Sequence, residues 1–188
     1  QVQERLRQKG CRTGICALFY GGPGVGKTET IRQIAKATGR DIFMVDMALK
    51  SKWIGESEKN LKQVFKTYKR LVRESEVAPI LLFNEADAIF GKRLVEETSA
   101  EKLNNALQNI ILQEMEDLEG ILIATTNMTK SFDAAFERRF LYKVLFKTPS
   151  VGVKAKIWKA MVDDISDSDA ESLAAKYSFT GGQIENIT

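Results

Sequence analysis

Short apolar runs alternate along the chain with longer segments in which apolar residues recur every three to four positions. The runs are typical of strands that are buried on both faces of a parallel sheet. The longer segments are typical of amphipathic helices that cover such a sheet. The pattern therefore predicts an α/β fold around a five-stranded parallel sheet, with strands over residues 15–20, 42–45, 80–83, 121–124 and 142–146.

The helices between these strands are predicted from the same periodicity. In the helix that follows the first strand, Ile31, Ile34 and Ala35 are expected to share one buried face. Two longer helices are predicted over residues 57–73 and about 100–117. Helices of this kind on both sides of the sheet would complete a three-layer arrangement.

A change of pattern after Pro149 predicts the boundary between two parts of the chain. Before it, strands and helices alternate; after it, the pattern is entirely helical. We expect a large α/β unit over residues 1–149 and the start of a small helical lid over residues 150–188. Because the chain begins with Gln1 rather than methionine, it is expected to be a fragment. The helical pattern stops at Thr188 within what looks like a further helix, so the lid is expected to be cut short.

The segment between the first strand and the first helix carries the clearest chemical signal. Residues 21–28 read Gly-Gly-Pro-Gly-Val-Gly-Lys-Thr and satisfy the phosphate-loop pattern G-x-x-x-x-G-K-[ST]. Glycines allow backbone N–H groups to surround a phosphate, and the following helix directs the positive end of its dipole there. An ordinary glycine-rich turn would need neither the lysine nor the threonine. The predicted ATP contacts are Gly22, Pro23, Gly24, Val25, Gly26, Lys27, Thr28 and Glu29.

Two of these residues have expected roles beyond cradling phosphate. Lys27 would bridge the β- and γ-phosphates, and the Thr28 hydroxyl would ligate Mg²⁺. The cofactors predicted from the loop are therefore ATP and Mg²⁺.

Composition narrows the remaining possibilities. The 188 residues include no histidine, which excludes a His general base, a Ser-His-Asp triad or a His-ligated metal within them. No apolar stretch approaches the roughly 20 residues of a membrane span. The net charge of +3 is too mild and too evenly spread to indicate nucleic acid by itself. Cys11 and Cys16 do not form a disulfide framework, so a reducing cytoplasm is the simpler expectation.

The third predicted strand ends in Asn84 and Glu85. Phosphate-loop hydrolases carry two acidic residues at this place, the first for Mg²⁺ and the second to polarise the attacking water. Glu85 matches the second. Asn84 replaces the first: it keeps a carbonyl oxygen for a metal-bound water or Thr28, but it lacks the negative charge. We expect weaker metal affinity and slower turnover rather than their loss.

Two further polar features follow along the chain. Asn127 ends the fourth strand, where it would orient a water between Glu85 and the γ-phosphate, or act only as a strand-end turn residue. Arg138 and Arg139 form an adjacent pair before the last strand. Such a pair is usually a solvated surface, but at this place it would meet the γ-phosphate of a neighbouring subunit. In that case the chain must assemble to hydrolyse ATP efficiently.

Taken together, these segments resemble the AAA family of AAA+ ATPases, from about residue 14 to the end of the chain. The resemblance implies a phosphate-loop NTPase fold of three αβα layers with a helical lid. It also implies a sensor role for Asn127 and arginine-finger roles for Arg138 and Arg139, in a Glu-Arg-Arg-Phe form. Gly181 and Gly182 are similar to the family's glycine-rich helix start, which lies near the adenine.

Residues 51–59 look especially like the meiotic clade of that family, which comprises katanin, spastin and the ESCRT-disassembly ATPases. By this resemblance, Trp53 and Ile54 line the pore of a hexamer and grip an extended polypeptide, with Gly55 as the flexible joint. The alternative for Trp53 is an ordinary core tryptophan, although its neighbours are polar and flexible.

The function expected from these features is Mg²⁺-dependent ATP hydrolysis in a ring, a hexamer, which remodels or translocates a polypeptide substrate. One alternative is an ATP-gated switch or scaffold in which Asn84 impairs hydrolysis. Another is a DNA-directed AAA+ protein such as a clamp loader, which the mild charge disfavours. No membrane partner is expected, and nucleic acid is the less favoured partner.

Overall fold

Five parallel strands form the sheet of this protein. The structure is a computed structural model that describes residues 13–46, 57–90, 99–128 and 132–187. Within these residues the strands lie in the order β2-β3-β4-β1-β5, and every pair of neighbours is parallel. The predicted α/β fold with a five-stranded parallel sheet is therefore confirmed. The strands are β1 (Ile15–Gly21), β2 (Ile42–Asp46), β3 (Ile80–Asn84), β4 (Ile121–Thr126) and β5 (Tyr142–Phe146).

The described helices cover both faces of the sheet and form the lid. The two long helices lie within one residue of their predicted bounds, whereas a single-turn helix after β3 was not predicted. The helices are α1 (Lys27–Thr38), α2 (Ser57–Glu74), α3 (Asp87–Phe90), α4 (Ser99–Glu116), α5 (Ala134–Arg139), α6 (Val151–Met161), α7 (Asp167–Lys176) and α8 (Gly181–Glu185).

Two apolar cores lie on opposite faces of the sheet. Along β1, Cys16 and Leu18 pack into one core, while Ala17 and Phe19 pack into the other, as the twofold period of a strand requires. The helices α2 and α4 contribute to the first core, and α1 contributes to the second. This packing holds the carboxyl ends of the strands, where ligands of open α/β sheets bind, on a rigid base.

Two expectations about burial are wrong. Ile34 is 36% exposed, because α1 buries a narrow stripe formed by Ile31 and Ala35. The expectation that both faces of every strand are covered fails at β5, where Tyr142 and Val144 are exposed. The reason is position: β5 is the last strand of the sheet, so it has a neighbouring strand only on the side of β1.

Tyr68 joins α2 to the amino ends of two strands. Its hydroxyl accepts a hydrogen bond of 2.7 Å from the Ile121 backbone N–H and lies 2.9 Å from the carbonyl oxygen of Pro79. The side chain is fully buried, and this burial raises the pKa of Tyr68 to about 12. The bonds hold the start of β3 and the start of β4 in one place relative to α2.

The C-terminal helices share a core of their own, formed by Ala155, Trp158, Ala170, Ala174 and Ile184. The helix α8 begins with a capping box between Thr180 and Gln183. The backbone N–H of Gly182 donates a 3.1 Å hydrogen bond to the carbonyl oxygen of Gly24, so the lid contacts the phosphate loop directly. The division of the chain after residue 149 stays a prediction.

None of the described helices has the length and apolar composition that crossing a bilayer requires. Cys16 is buried and is not in a disulfide, while Cys11 lies outside the described residues.

Candidate functional site

A cavity of about 380 Å³ lies at the carboxyl ends of the central strands, between the phosphate loop and the lid. It brings together most of the predicted site residues from four separate segments of the chain. The predicted residues that line it are Pro23, Gly24, Val25, Gly26, Lys27, Thr28, Glu29, Asn84, Glu85, Asn127, Gly181 and Gly182. A drug-sized ligand occupies a volume of this order.

The backbone of the loop has the conformation that a phosphate cradle needs. Gly24 and Gly26 have φ angles of 68° and 91°, in the left-handed region that favours glycine. A Cβ atom on Gly24 would lie 2.4 Å from Thr180 Oγ1, so a larger residue would displace the lid. Gly26 is the N-cap of α1, and no side chain caps this helix. The first N–H groups of α1 therefore remain directed at the cavity, as in other anion sites at helix N-termini.

Lys27 is held at the inner wall of this loop. Its Nζ donates hydrogen bonds to the carbonyl oxygens of Gly21 at 2.8 Å and Gly22 at 2.7 Å, and to Asn127 Oδ1 at 2.9 Å. Burial lowers the pKa of Lys27, while the carboxylates of Asp87 and Glu85 act in the opposite direction. The ammonium group is thus positioned before any phosphate binds.

Asn84 presents its carbonyl oxygen to the loop. Asn84 Oδ1 accepts hydrogen bonds of 3.0 Å from Thr28 Oγ1 and of 3.0 Å from Thr125 Oγ1. Thr125 is 2% exposed, and its hydroxyl also accepts a 3.0 Å bond from the Glu85 backbone N–H. Thr125 was missed by sequence reasoning. The available signal was the change from apolar to hydroxyl side chains at the end of the fourth strand.

Glu85 has an unusual backbone conformation. Its φ is 55°, one of two positive values recorded for residues other than glycine in the described structure. Such a conformation costs about 1–3 kcal/mol and is often found at functional sites. The bond from Glu85 N–H to Thr125 Oγ1, and the 2.9 Å bond from Ala86 N–H to the Thr125 carbonyl, hold this turn against β4. The Glu85 carboxylate is thereby directed to the cavity that it lines.

Asp87 contacts the tip of β4 and was also missed by sequence reasoning. Its carboxylate accepts hydrogen bonds from Thr126 Oγ1, from the Asn127 backbone N–H at 2.8 Å and from Asn127 Nδ2 at 3.4 Å. Asn127 is therefore bonded on one side to Asp87 and on the other to Lys27.

The arginine pair differs in its surroundings. Arg139 forms an ion pair with Glu116 and donates a 3.3 Å bond to the carbonyl of Ala135, whereas Arg138 is exposed. Neither arginine is among the described residues that line the cavity of a single chain. The helix α5 that carries both is anchored by the buried ring of Phe136. The predicted pore residues Trp53, Ile54 and Gly55 lie outside the described residues.

The oxygen atoms at this site suit a cation that enters the site bound to a nucleotide. Within the described residues, no group of three or more His, Cys, Asp and Glu side chains is arranged to hold a metal ion. The site instead offers the Thr28 hydroxyl and the Asn84 carbonyl, which already contact each other. Mg²⁺ takes oxygen ligands and usually keeps several waters and substrate phosphates, so the Thr28 hydroxyl fits as a protein ligand. Asn84 Oδ1 already accepts from Thr28 and Thr125, and it would orient that hydroxyl.

The comparison with family models agrees with this geometry. The model of the "ATPase family associated with various cellular activities (AAA)" matches residues 17–148, which include the phosphate loop and the polar ends of β3 and β4. The chain belongs to the AAA ATPase family. The resemblance predicted from the motifs is thereby confirmed, and so is the assignment of this AAA domain to the ATPases.

Curated relatives of this AAA domain include two archaeal proteins. "Cell division protein C" of Sulfolobus acidocaldarius is 26% identical over 183 residues, which cover 90% of this chain and 47% of that protein. "Protein CdcH" of Halobacterium salinarum is 29% identical over 196 residues, covering 98% of this chain and 25% of that protein.

A third relative is "Vacuolar protein sorting-associated protein 4B" of Mus musculus. It is 28% identical over 182 residues, covering 90% of this chain and 39% of that protein. This AAA domain therefore spans less than half the length of each of these three relatives.

Proposed function

We propose that this domain binds ATP with Mg²⁺, hydrolyses it to ADP and phosphate, and does so within a ring of copies that remodels or translocates a polypeptide. One observation carries the proposal. The Lys27 ammonium, the Thr28–Asn84 pair and the Glu85 carboxylate converge on one cavity at the uncapped N-terminus of α1.

Binding would rest on the loop and the lid. The N–H groups of the loop and of α1 bind the phosphates, and the Lys27 ammonium donates to phosphate oxygens as it now donates to carbonyl and amide oxygens. Gly181 and Gly182 bring the start of α8 against the loop, which closes the cavity on the side proposed for the adenine.

Hydrolysis would rest on the ends of β3 and β4. The Thr28 hydroxyl, oriented by Asn84, would hold Mg²⁺, and the ion would supply charge neutralisation of the phosphates. Glu85 accepts a proton from the attacking water, and Asn127 orients that water. The water oxygen attacks the γ-phosphorus, the bond to the β–γ bridging oxygen breaks, and ADP leaves with that oxygen.

The proposed ring would complete the ATP site with a residue from a second chain. Arg138 is exposed and lies outside its own chain's cavity, so it is available to the γ-phosphate of a neighbour. Trp53 and Ile54, with Gly55 as a joint, would grip the polypeptide in the pore of a hexamer. The cytoplasmic location inferred from cysteine usage stays a prediction.

The proposal is tested by the rate of ATP hydrolysis per chain, measured over a wide range of protein concentration. We expect the rate per chain to rise with concentration and reach a plateau, because only assembly places Arg138 of one copy at the site of another. A rate that is flat across the range would contradict completion of the site by a neighbour. Stimulation by single-stranded DNA but not by an unfolded protein would contradict the polypeptide substrate.

A second candidate is a slow ATP-gated switch, and the neutral Asn84 side chain favours it. Asn84 Oδ1 accepts hydrogen bonds from the hydroxyls of Thr28 and Thr125. Residue 84 itself carries no negative charge that would attract the proposed Mg²⁺.

Asn84→Asp separates the two candidates. We expect the variant to need less Mg²⁺ for half-maximal activity and to turn over severalfold faster, because it adds a charge near the cation while keeping the acceptor for Thr28. The measurement is a magnesium titration of ATPase activity, with ATP affinity measured separately by calorimetry. A rise of about a hundredfold or more, at unchanged ATP affinity, would favour the switch.

A further inference from the structure

Asp87 and Lys27 lie on opposite sides of the Asn127 side chain. Asn127 Nδ2 donates to Asp87 Oδ2 at 3.4 Å, and Asn127 Oδ1 accepts from Lys27 Nζ at 2.9 Å. The Asn127 backbone N–H also donates to Asp87 Oδ1 at 2.8 Å, so the same carboxylate holds the main chain and the side chain of one residue.

This arrangement allows only one orientation of the amide. The oxygen and the nitrogen of an asparagine amide have similar shape but opposite hydrogen-bonding character. A flipped amide would place the Asn127 NH₂ group against the Lys27 ammonium, where donor would face donor. It would also place the Asn127 oxygen against the Asp87 carboxylate, where acceptor would face acceptor. The two charged groups therefore determine together which end of the amide faces the phosphate loop.

Building on the proposed ATPase function, we propose that Asp87 is a positioning residue that keeps Asn127 Oδ1 directed into the site as a hydrogen-bond acceptor. In that orientation Asn127 accepts a hydrogen bond from the attacking water, alongside the Glu85 carboxylate. Asp87 accepts from one N–H of the NH₂ group, so the amide oxygen rather than the nitrogen faces the attacking water.

The proposal predicts that a change at Asp87 affects ATP hydrolysis more than ATP binding. Phosphate would be held by the loop, α1 and Lys27. In the described structure Asp87 is hydrogen-bonded to none of them, and it acts on Lys27 only through its charge, which favours the ammonium form. Loss of the Asp87 charge should therefore act on the water and lower kcat, while KM and the ATP dissociation constant change little.

The test is a double-mutant cycle on ATP hydrolysis. Asp87→Asn keeps the size of the side chain but offers an NH₂ group to Asn127, which permits the flipped amide. We expect kcat to fall at least about tenfold, as the loss of a hydrogen bond to a charged group implies. We expect no further loss when Asp87→Asn is added to Asn127→Ala, because Asp87 acts through Asn127.

Two further variants separate positioning from folding. Thr126→Val removes another donor to Asp87 and the acceptor of the Met128 N–H but leaves the contact between Asp87 and the amide, so kcat should change less than about threefold. The double variant D87N/N127D exchanges the amide and the carboxylate, and again directs an acceptor oxygen to Lys27. It should recover part of the kcat lost in Asp87→Asn, at a weaker ATP affinity, because the new carboxylate beside Lys27 repels phosphate. Thermal denaturation should show all variants folded.

The outcomes are distinct. If wild type hydrolyses ATP but Asp87→Asn is unimpaired, or lowers kcat equally with and without Asn127, the positioning role is overturned while the proposed function stands. Failure of D87N/N127D to recover activity as a folded protein also overturns it. If wild type neither binds nor hydrolyses ATP, the proposed function fails and the inference fails with it.

Discussion

Glu85→Gln is expected to lower the rate of ATP hydrolysis about 10²–10³-fold while ATP affinity stays within about threefold of wild type. The amide keeps the shape of the carboxylate but cannot take a proton from water at neutral pH. The strained turn and its bonds to Thr125 involve only the backbone of Glu85, so the fold and the loop should remain intact.

The measurement pairs single-turnover hydrolysis with calorimetric titration of Mg²⁺ and ATP. Glu76→Gln is a matched control, because it makes the same chemical change at an exposed residue just before β3, at the amino end of the sheet. Equal loss in both variants would point to an effect of net charge. Unchanged hydrolysis in Glu85→Gln would remove Glu85 from the mechanism.

Arg138→Ala is expected to lower turnover about 10³-fold at concentrations where wild type is assembled, again with ATP binding retained. The reason is that Arg138 would stabilise the charge that develops on a neighbour's γ-phosphate. Arg139→Ala is also expected to lower turnover, but it has a second effect on stability, because it breaks the ion pair with Glu116.

Mixing two inactive variants tests whether Glu85 and Arg138 of neighbouring subunits act on the same ATP. In the proposed ring, Glu85 would act on the ATP of its own chain and Arg138 on that of the next, so Arg138→Ala and Glu85→Gln should complement each other. In an equal mixture, about a quarter of the sites would combine an intact Glu85 with an intact Arg138 across a head-to-tail interface. Complete inactivity of a mixture shown to co-assemble would contradict action in trans.

The strands were predictable because each is a compact apolar run, and the phosphate loop because its spacing is local in sequence. Burial was harder to predict. Tyr142 and Val144 look like core residues, and only the strand order places β5 at the edge of the sheet. Ile34 follows the helical pattern, but the part of α1 that packs on the sheet is too narrow to include it.

The residues that support the site were missed for a different reason. Thr125 lies 40 residues beyond Glu85, and Asp87 lies 40 residues before Asn127. Their bonds form only because β3 and β4 are neighbours, although a long helix separates them along the chain. No spacing rule for a local motif describes such a pair. The residues predicted to contact phosphate were therefore identified from a local motif, whereas Thr125 and Asp87, which bond to the ends of β3 and β4, were not.

The backbone contact between Gly24 and Gly182 limits which residues can replace either glycine. The two main chains touch without any intervening side chain, and a Cβ atom on Gly182 would lie 3.2 Å from the Gly24 Cα. Even a methyl group at residue 182 would require the two backbones to separate by a few tenths of an ångström. Changes in the packing of Trp158 and its neighbours leave both glycines in place, so they offer a gentler way to shift α8 relative to the loop.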